Sequence, residues 1–190
     1  MDSRYKTQAQ INEMSVEQRL RRLEDFDQIR KLKSQYHVLI NDCRFDEFAE
    51  LFTEDAIVDM GYMGGEIEPW RGRVEIHEKF AAIPQHLQQI KQFIHNHMIE
   101  VDGDEAIGWA FPEARYGSNG MSYNVAGKYE DTYRRVDGRW LFSSIYVSFY
   151  FTVPSDSKWA GAERHHLVRR PNTVLPAADS SRPNPPVAYP

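Results

Sequence analysis

Two histidines stand close together in the stretch FIHNHMIEVDGDEAIGWA, residues 93–110. Histidine changes its charge near neutral pH, with a reference pKa of about 6.5, so His95 and His97 could take or give a proton in catalysis. An H-x-H pair on one strand face could also hold a metal ion if Asp131 or Glu113 completed the ligand set. The third hypothesis is that both are ordinary polar residues of a strand.

Helical patterns come first along the chain. From Ser15 to Cys43, apolar residues recur near a 3.6-residue spacing, which predicts a long helix with Ser15 as N-cap and Gln18 as its capping-box partner. The acidic residues at 25–27 could split this helix in two. We interpret its charged stretch, RRLEDFDQIRKLK, as a solvent-exposed face with i,i+4 ion pairs.

Two further helices are predicted before the pattern changes. The stretch RFDEFAELFTEDA predicts a short helix, and AIVDMGYMGG predicts a strand that enters a glycine loop. The stretch GRVEIHEKFAAIPQHLQQI predicts a third helix that ends or kinks at Pro84, because proline cannot donate the helical hydrogen bond.

The second half of the domain alternates with a period of two, which is typical of strands. The turn signals DGDE, GSNG and VDGR separate the strands, and the Asp-Gly of VDGR favours a type I′ hairpin. Helices followed by antiparallel strands predict an α+β fold, a curved sheet wrapped on helices. The predicted strands are about Gln92–Val101, Ala106–Tyr116, Tyr123–Val136 and Arg139–Val153.

Length and composition bound the organisation of the chain. Its 190 residues suit one domain with extensions: a flexible segment at 1–14, the domain at 15–153 and a Pro-rich arm at 154–190. A net charge of -5 argues against nucleic acid or an anionic membrane as partner. The single cysteine, Cys43, excludes an intrachain disulfide. Without a membrane-spanning run or the apolar core of a signal peptide, a cytoplasmic location is the expectation.

Three runs of the sequence together resemble one known family. They are IRKLKSQYHVLINDCRFDEFAELFTEDAIVDM, NHMIEVDGDEAIGWA and GKYEDTYRRVDGRWLFSSIYV, which lie between about residues 23 and 152. They resemble the SnoaL-like branch of the nuclear-transport-factor-2-like superfamily, which includes scytalone dehydratase, hexachlorocyclohexane dehydrochlorinase and bile-acid dehydratases. The resemblance implies a cone-shaped α+β barrel, with a curved mixed or antiparallel sheet around a deep pocket. It also implies a cofactor-independent lyase and a homo-oligomer, with a trimer favoured and a dimer as the alternative.

The residues at the family's catalytic positions differ from those the resemblance implies. The enzymes of this branch use a histidine–aspartate pair as base, but Asn41 stands at the aspartate position and Gln92 at the histidine position. Ala110 replaces a second histidine of scytalone dehydratase, and Met60 replaces one of its tyrosines. Tyr36 matches a tyrosine of the bile-acid dehydratases. The family chemistry is therefore either lost or carried out by other groups in the same cavity.

Strand pairing predicts which other groups face the cavity. If DGDE is a four-residue turn, antiparallel pairing puts His97 opposite Ala110 and His95 opposite Pro112, and opposed residues share a face. Both histidines are therefore expected to point into the cavity, while the other face, with Met98 and Phe111, is a candidate subunit interface. The VDGR hairpin predicts three more opposed pairs: Asp131 with Ser144, Tyr129 with Tyr146, and Gly127 with Ser148.

These residues predict acid–base chemistry on a small aromatic molecule. We expect elimination from a hydroxylated aromatic or polycyclic substrate, such as dehydration. A variant passes through a quinone methide and releases formaldehyde from a lignin-derived diaryl compound. The alternative is a ligand-binding or assembly domain that has lost catalysis. Candidate catalytic residues are His97, His95, Tyr129, Tyr36 and Asn41, and candidate substrate-binding residues are Tyr146, Asp131, Ser148, Ala110, Gln92 and Met60.

Overall fold

The computed structural model describes residue 6, residues 8–61 and residues 68–157. Most of the predicted Pro-rich arm, from residue 158 onward, lies outside the described residues. A short helix, α1, occurs in the N-terminal segment that was expected to be flexible. In chain order the elements are α1 (Gln8–Asn12), α2 (Val16–Asn41), α3 (Phe45–Ala49), β1 (Phe52–Asp59), β2 (Trp70–Arg71), α4 (Gly72–Ala81), α5 (Ile83–His86), β3 (Gln88–Asp102), β4 (Glu105–Ser118), β5 (Met121–Val136) and β6 (Arg139–Pro154).

Helix α2 is one continuous helix. Its predicted capping box is confirmed, because the Ser15 hydroxyl accepts the Gln18 N–H and the Gln18 side chain accepts the Ser15 N–H. The predicted break at residues 25–27 is wrong. Asp25 is buried, accepts a hydrogen bond from the Trp140 indole at 3.1 Å and pairs with Arg135 at 2.8 Å. The acidic stretch therefore attaches the helix to the sheet.

The elements between α2 and β3 differ in length from the prediction. Strand β1 begins at Phe52, inside the segment predicted as helix, because Phe52 pairs with Phe142 of β6 and the Phe142 N–H bonds the Leu51 carbonyl. The third helix is divided into α4 and α5, and Pro84 stands at the start of α5. The last residues predicted as helix begin strand β3, because pairing with β4 provides their backbone hydrogen bonds.

The six strands form one sheet in the order β2-β1-β6-β5-β4-β3. Strand β1 runs parallel to β6 and all other neighbours are antiparallel, so the sheet is mixed. The VDGR turn has φ values of 50° at Asp137 and 78° at Gly138, the two positive values that a type I′ turn requires. The predicted α+β architecture, a curved mixed sheet wrapped on N-terminal helices, is confirmed, and the sheet is not closed into a complete barrel.

The core lies between the helices and the concave face of the sheet. Tyr36 of α2 stands at its centre, with its ring centroid 4.9 Å from that of Phe48 and 5.6 Å from that of Phe142. Offset and edge-on aromatic contacts of this kind stabilise beyond the area they bury. None of the helices in the described ranges is both long and apolar enough to cross a membrane.

Candidate active site

A β-bulge in β3 separates the two histidines. His95 pairs with Phe111, and the ladder resumes one step out of register at Met98. Asn96, inside the bulge, has a φ of 52°, a conformation that asparagine tolerates better than most residues. An extra residue reverses the alternation of faces. His95 is consequently exposed and His97 lies on the concave face.

The predicted pairing of His95 is therefore wrong. The register predicted for the rest of the hairpin is observed from Val101 to Met98, and Ala110 stands opposite the bulge that contains His97. Pro112 pairs with Ile94, not with His95, and the expected place of His95 on the cavity wall is incorrect. The expected concave position of His97 is confirmed, since its Nε2 lies 3.1 Å from the Tyr133 hydroxyl. Because the bulge puts the two rings on opposite faces, the hypothesis of an H-x-H metal site does not fit. No cluster of three metal-ligating side chains occurs within the described ranges.

Three further side chains continue inward from His97. The Tyr133 hydroxyl donates to Asp131 Oδ2 at 2.9 Å, and Lys33 Nζ lies 2.9 Å from the same oxygen. The Lys33 and Asp131 side chains are 1% and 0% exposed, so this ion pair is fully buried. We call His97, Tyr133, Asp131 and Lys33 the polar chain. Its charges are tolerated at this depth because each has an opposite partner.

The hydrogen bonds define the tautomer of His97. Tyr133 gives its only hydroxyl proton to Asp131, so the bond between Tyr133 and His97 must use the Nε2–H of the imidazole. Nδ1 is then the nitrogen that can accept a proton. Burial lowers the pKa of His97 to about 4, and the charges of Lys33 and Arg30 add to this effect. His97 is therefore neutral at physiological pH.

The remaining groups of the polar chain have pKa values set mainly by burial. Burial lowers the pKa of Lys33 and raises that of Asp131, while the attraction between the two charges opposes both changes. Burial also raises the pKa of Tyr133 well above its usual value, and the negative charge of Asp131 adds to this effect. Tyr133 thus stays protonated and links His97 to the ion pair.

Gly108 provides the space that His97 occupies. A Cβ at this position would lie 3.0 Å from the Tyr133 ring and 3.1 Å from His97 Nε2. Gly108 pairs with Ile99, so the His97 ring reaches toward Gly108 while Ala110 stands opposite the bulge. Ala110 is fully buried on the same face of the strand, opposite Tyr129.

For a reaction that uses His97 to transfer a proton, we expect Gly108→Ala to displace the ring and to reduce turnover by at least about tenfold, because misplaced catalytic groups lose rate steeply. The matched control is Gly117→Ala in the same strand, where the added Cβ meets its nearest atom at 3.4 Å, an ordinary contact. Steady-state kinetics of both folded variants checks this expectation. Equal activity of the two would show that the position of His97 does not depend on Gly108.

Tyr129 and Gln92 stand beside the polar chain. The Tyr129 hydroxyl donates to Gln92 Oε1 at 3.2 Å, and Lys33 Nζ lies 3.6 Å from the centroid of the Tyr129 ring, a cation–π contact. Asn41 exchanges two hydrogen bonds with the backbone of Gln92, at 2.9 and 2.7 Å. The side-chain amide of Asn41 thus attaches the end of α2 to β3, and the amide of Gln92 is held against Tyr129.

Tyr36 and His37 lie on the buried side of α2, against Tyr129. Tyr36 is fully buried and packs against Tyr129, with ring centroids 6.0 Å apart. Burial raises its pKa well above the usual value, with a smaller contribution from Tyr129. His37 is 6% exposed, and burial together with the Lys33 charge lowers its pKa to about 3.

Sequence reasoning missed both Lys33 and His37. Lys33 was assigned to a solvent-exposed face, but it is buried, and so is His37 one helical turn further on. The available signal was their spacing, because Ile29, Lys33, His37 and Ile40 fall on one stripe of α2. A charged residue within an apolar stripe is an indication of a buried partner.

A second bulge, between β5 and β6, changes the predicted partners of Tyr129 and Asp131. The pairing register shifts by one residue between Tyr133 and Thr132. As a result, Tyr129 pairs with Val147 and Asp131 with Ile145. The predicted pairings with Tyr146 and Ser144, and that of Gly127 with Ser148, are wrong. Tyr146 and Ser148 are buried on the opposite face, where they pair with Glu130 and Lys128. Met60 is half-buried at the edge of the core.

Small side chains cover the concave face beyond the polar chain. Pro112 and Ala114 of β4 lie there beside the strand β5 positions of Gly127 and Val125. The row ends at Tyr116 and Tyr123, whose rings stack with centroids 5.1 Å apart and an interplanar angle of 17°. Gln92 pairs with Ala114. Tyr116 is the next residue of β4 that faces inward after Ala114. The stacked tyrosines therefore lie only roughly 7 Å beyond Gln92.

The loss of stability in acid should reveal the lowered pKa values of the two buried histidines. Both have folded-state pKa values, about 3 for His37 and about 4 for His97, below the unfolded value of 6.5. Between about pH 6.5 and pH 3 the unfolded chain binds more protons, so stability falls as pH falls through this window. We expect the melting temperature to fall in calorimetry from pH 7 to pH 4, with a smaller fall in His37→Gln. An equal pH dependence in this variant would contradict the assignment.

N-terminal helices packed on the concave face of a curved six-stranded sheet are the architecture of an NTF2-like domain. The family model described as "SnoaL-like domain" matches residues 21–146, so the chain belongs to the SnoaL-like family. No curated protein sequence matches the chain significantly.

Solved structures agree with this assignment. A type 2 hexachlorocyclohexane dehydrochlorinase, LinA, is 20% identical, covers 71% of this chain and 91% of its own, and has a TM-score of 0.66. The type 3 LinA from Novosphingobium barchaimii LL02 is 20% identical over 73% of this chain and 95% of its own, with a TM-score of 0.66. A candidate scytalone dehydratase from Novosphingobium aromaticivorans DSM 12444 is 21% identical over 72% and 91%, with a TM-score of 0.63. At these identities the similarity establishes the fold.

Proposed function

We propose that this protein is a cofactor-independent lyase that removes water from a hydroxylated aromatic substrate by acid–base catalysis. The observation that carries the proposal is the polar chain, which holds a neutral histidine on the concave face and fixes its tautomer. A base oriented by a second group, itself oriented by a carboxylate, is the arrangement that proton-transfer catalysis requires. The structural neighbours named as a dehydratase and as dehydrochlorinases support elimination as the type of reaction.

His97 acts first as base and then as acid in this mechanism. Nδ1 takes a proton from the substrate, and the imidazolium is stabilised through Tyr133 by the negative charge of Asp131. Because the pKa of His97 is about 4, the imidazolium gives up its proton readily. The departing hydroxyl group receives it and leaves as water, so the histidine returns to its neutral form.

The concave face favours a substrate with two rings. One ring fits over the small side chains between Gln92 and the polar chain, and the second can pack against Tyr116 and Tyr123. Tyr129 and Tyr36 offer hydroxyl groups to substrate oxygens, and both stay protonated because burial raises their pKa values. A pocket with aromatic walls and a few convergent polar groups is typical of small-molecule sites.

The same site supports a carbon–carbon cleavage variant. Loss of water from a para-hydroxyphenyl carbinol gives a quinone methide, which accepts electrons. When a neighbouring hydroxymethyl group loses its O–H proton to His97, its carbon leaves as formaldehyde. The bonding electrons then form a carbon–carbon double bond and turn the quinone methide into a phenolate, which takes the proton back from His97 to give the phenol. A lignin-derived diaryl compound with both groups is the substrate class that this variant requires.

The test is incubation of the protein with phenolic diaryl carbinols and hydroxylated polycycles, followed by mass spectrometry. Loss of water, or of water together with formaldehyde, is the expected result for at least one compound. A compound panel that is bound but returned unchanged would reject the lyase proposal.

A second candidate function is ligand binding without catalysis. The observation that favours it concerns the family's catalytic positions, because the Asn41 side chain is engaged by the Gln92 backbone and the Gln92 side chain accepts from Tyr129. A pure binding domain would gain thermal stability with an aromatic ligand by mass action, and no product would form.

The homo-oligomer, with a trimer favoured, is also proposed. Met98 and Phe111, on the outer face of β3 and β4, expose 54% and 36% of their surface, which supports an interface there. Light scattering coupled to size-exclusion chromatography measures the oligomer size, and a monomer would reject it.

A further inference from the structure

His37 is a buried polar side chain that the mechanism above does not use. Neither of its ring nitrogens has a hydrogen-bond partner of ordinary geometry among the residues that the structure describes, although the side chain is only 6% exposed. The adjacent Tyr36 hydroxyl is fully buried and makes no hydrogen bond of ordinary geometry within the same ranges. Buried polar groups are nearly always hydrogen-bonded, so these unsatisfied atoms require an explanation.

The surroundings of His37 place it beside the candidate site residues. Its ring centroid lies 5.8 Å from that of Tyr129 and 5.0 Å from that of Tyr36, both at steep interplanar angles. A weak hydrogen-bonding interaction with the Gln92 side chain raises its pKa, and the charged form of His97 would lower it, so both groups are near. His37 therefore faces the same space as His97, but from the helix side.

The charge state of His37 defines what it can bind. Burial is the main cause of its low pKa, about 3, and the ammonium of Lys33 adds to it. The imidazole is consequently neutral, with one N–H donor and one acceptor nitrogen. A partner for the acceptor must carry an O–H or N–H group, and the aromatic rings on both sides favour a planar partner.

We propose that His37 accepts a hydrogen bond from a phenolic hydroxyl of the ligand, and so selects phenols over their methyl ethers. A phenol, whose pKa is about 10 as in tyrosine, is a stronger donor than an aliphatic alcohol. A carboxylate is disfavoured because the only buried cation here, Lys33, among the residues that the structure covers, is already paired with Asp131. The inference deepens the proposed function by naming the substrate group that the helix side recognises.

The experiment compares two probes, 4-hydroxystilbene and 4-methoxystilbene, by titration calorimetry. The wild-type protein should bind the phenol about tenfold more tightly, as one hydrogen bond to a buried acceptor predicts. His37→Leu should bind both probes equally. The matched control, His95→Leu, alters an exposed histidine on the opposite face of the sheet and should keep the preference. A preference unchanged in His37→Leu, or no binding of either probe by the wild type, would overturn the proposal.

A second measurement does not depend on the folding of His37→Leu. In the wild-type protein labelled with ¹⁵N-histidine, 4-hydroxystilbene should shift the signal of the His37 acceptor nitrogen, whereas the ether should not. The signal is assigned by its loss in His37→Gln. An unchanged signal at saturating phenol would overturn the proposal.

The binding experiments on His37 and the turnover test of the lyase proposal can fail independently of each other. A His37-dependent preference for phenols without turnover of any substrate would reject the lyase and retain the binding site. Turnover with a preference that does not depend on His37 would reject only the inference.

Discussion

Replacing His97 with alanine is expected to reduce the rate of elimination by about 10²–10⁴-fold, the usual contribution of a general acid–base group. The side chain is the proton acceptor of the proposed reaction, and its hydrogen bond to Tyr133 fixes the tautomer. Because the ring is partly exposed on the concave face, its removal should leave the fold intact. Single-turnover kinetics with a substrate from the panel measures the loss.

The control for this variant is His95→Ala. His95 is of the same residue type in the same strand, but the bulge at Asn96 places it on the outer face. Its activity should equal that of the wild type. If His95→Ala lost activity while His97→Ala kept it, the bulged register, and with it the proposed base, would be wrong.

Replacing Lys33 with methionine should destabilise the protein by about 3–5 kcal/mol, because the substitution leaves Asp131 buried without its cation. Lys33 Nζ lies 2.9 Å from Asp131 Oδ2, and both side chains are inaccessible. Without the ammonium, Asp131 would take up a proton, since burial already raises its pKa. Tyr133 would lose a charged acceptor, and activity should fall as well. Urea denaturation measures the free energy of unfolding.

Two further variants make this result specific. Lys31→Met, two positions earlier, removes an exposed ion pair with Asp27 and should cost at most about 1 kcal/mol. The double variant Lys33→Met/Asp131→Asn removes both charges and should recover part of the lost stability but not the activity. Equal stability of Lys33→Met and Lys31→Met would show that the ion pair contributes little to folding.

Much of the fold was predictable because its signals are local. The change from a 3.6-residue to a two-residue period predicted the order of helices and strands, and the Asp-Gly of VDGR predicted its hairpin. The capping box of α2 was readable from Ser15 and Gln18 alone. The resemblance to the SnoaL-like family was carried by the order of these elements, and the match over residues 21–146 confirms it.

The site was less predictable because it depends on which face each strand presents. One extra residue reverses the faces of a strand, and the bulges at Asn96 and after Thr132 each did so. As a result, His95 and Tyr146 left the predicted pocket while His97 remained on the concave face. Asn96 tolerates a positive φ, but asparagine alone does not predict a bulge.

The sequence by itself determined the class of fold, the elements and a short set of residues able to transfer protons. Only the tertiary structure decided that Lys33 and His37 belong to that set, since the partner of Lys33, Asp131, lies far along the chain. A buried lysine and an exposed lysine look alike within one helix. The difference arises when the sheet packs against α2, because a charge that is removed from water needs an opposite charge as its partner.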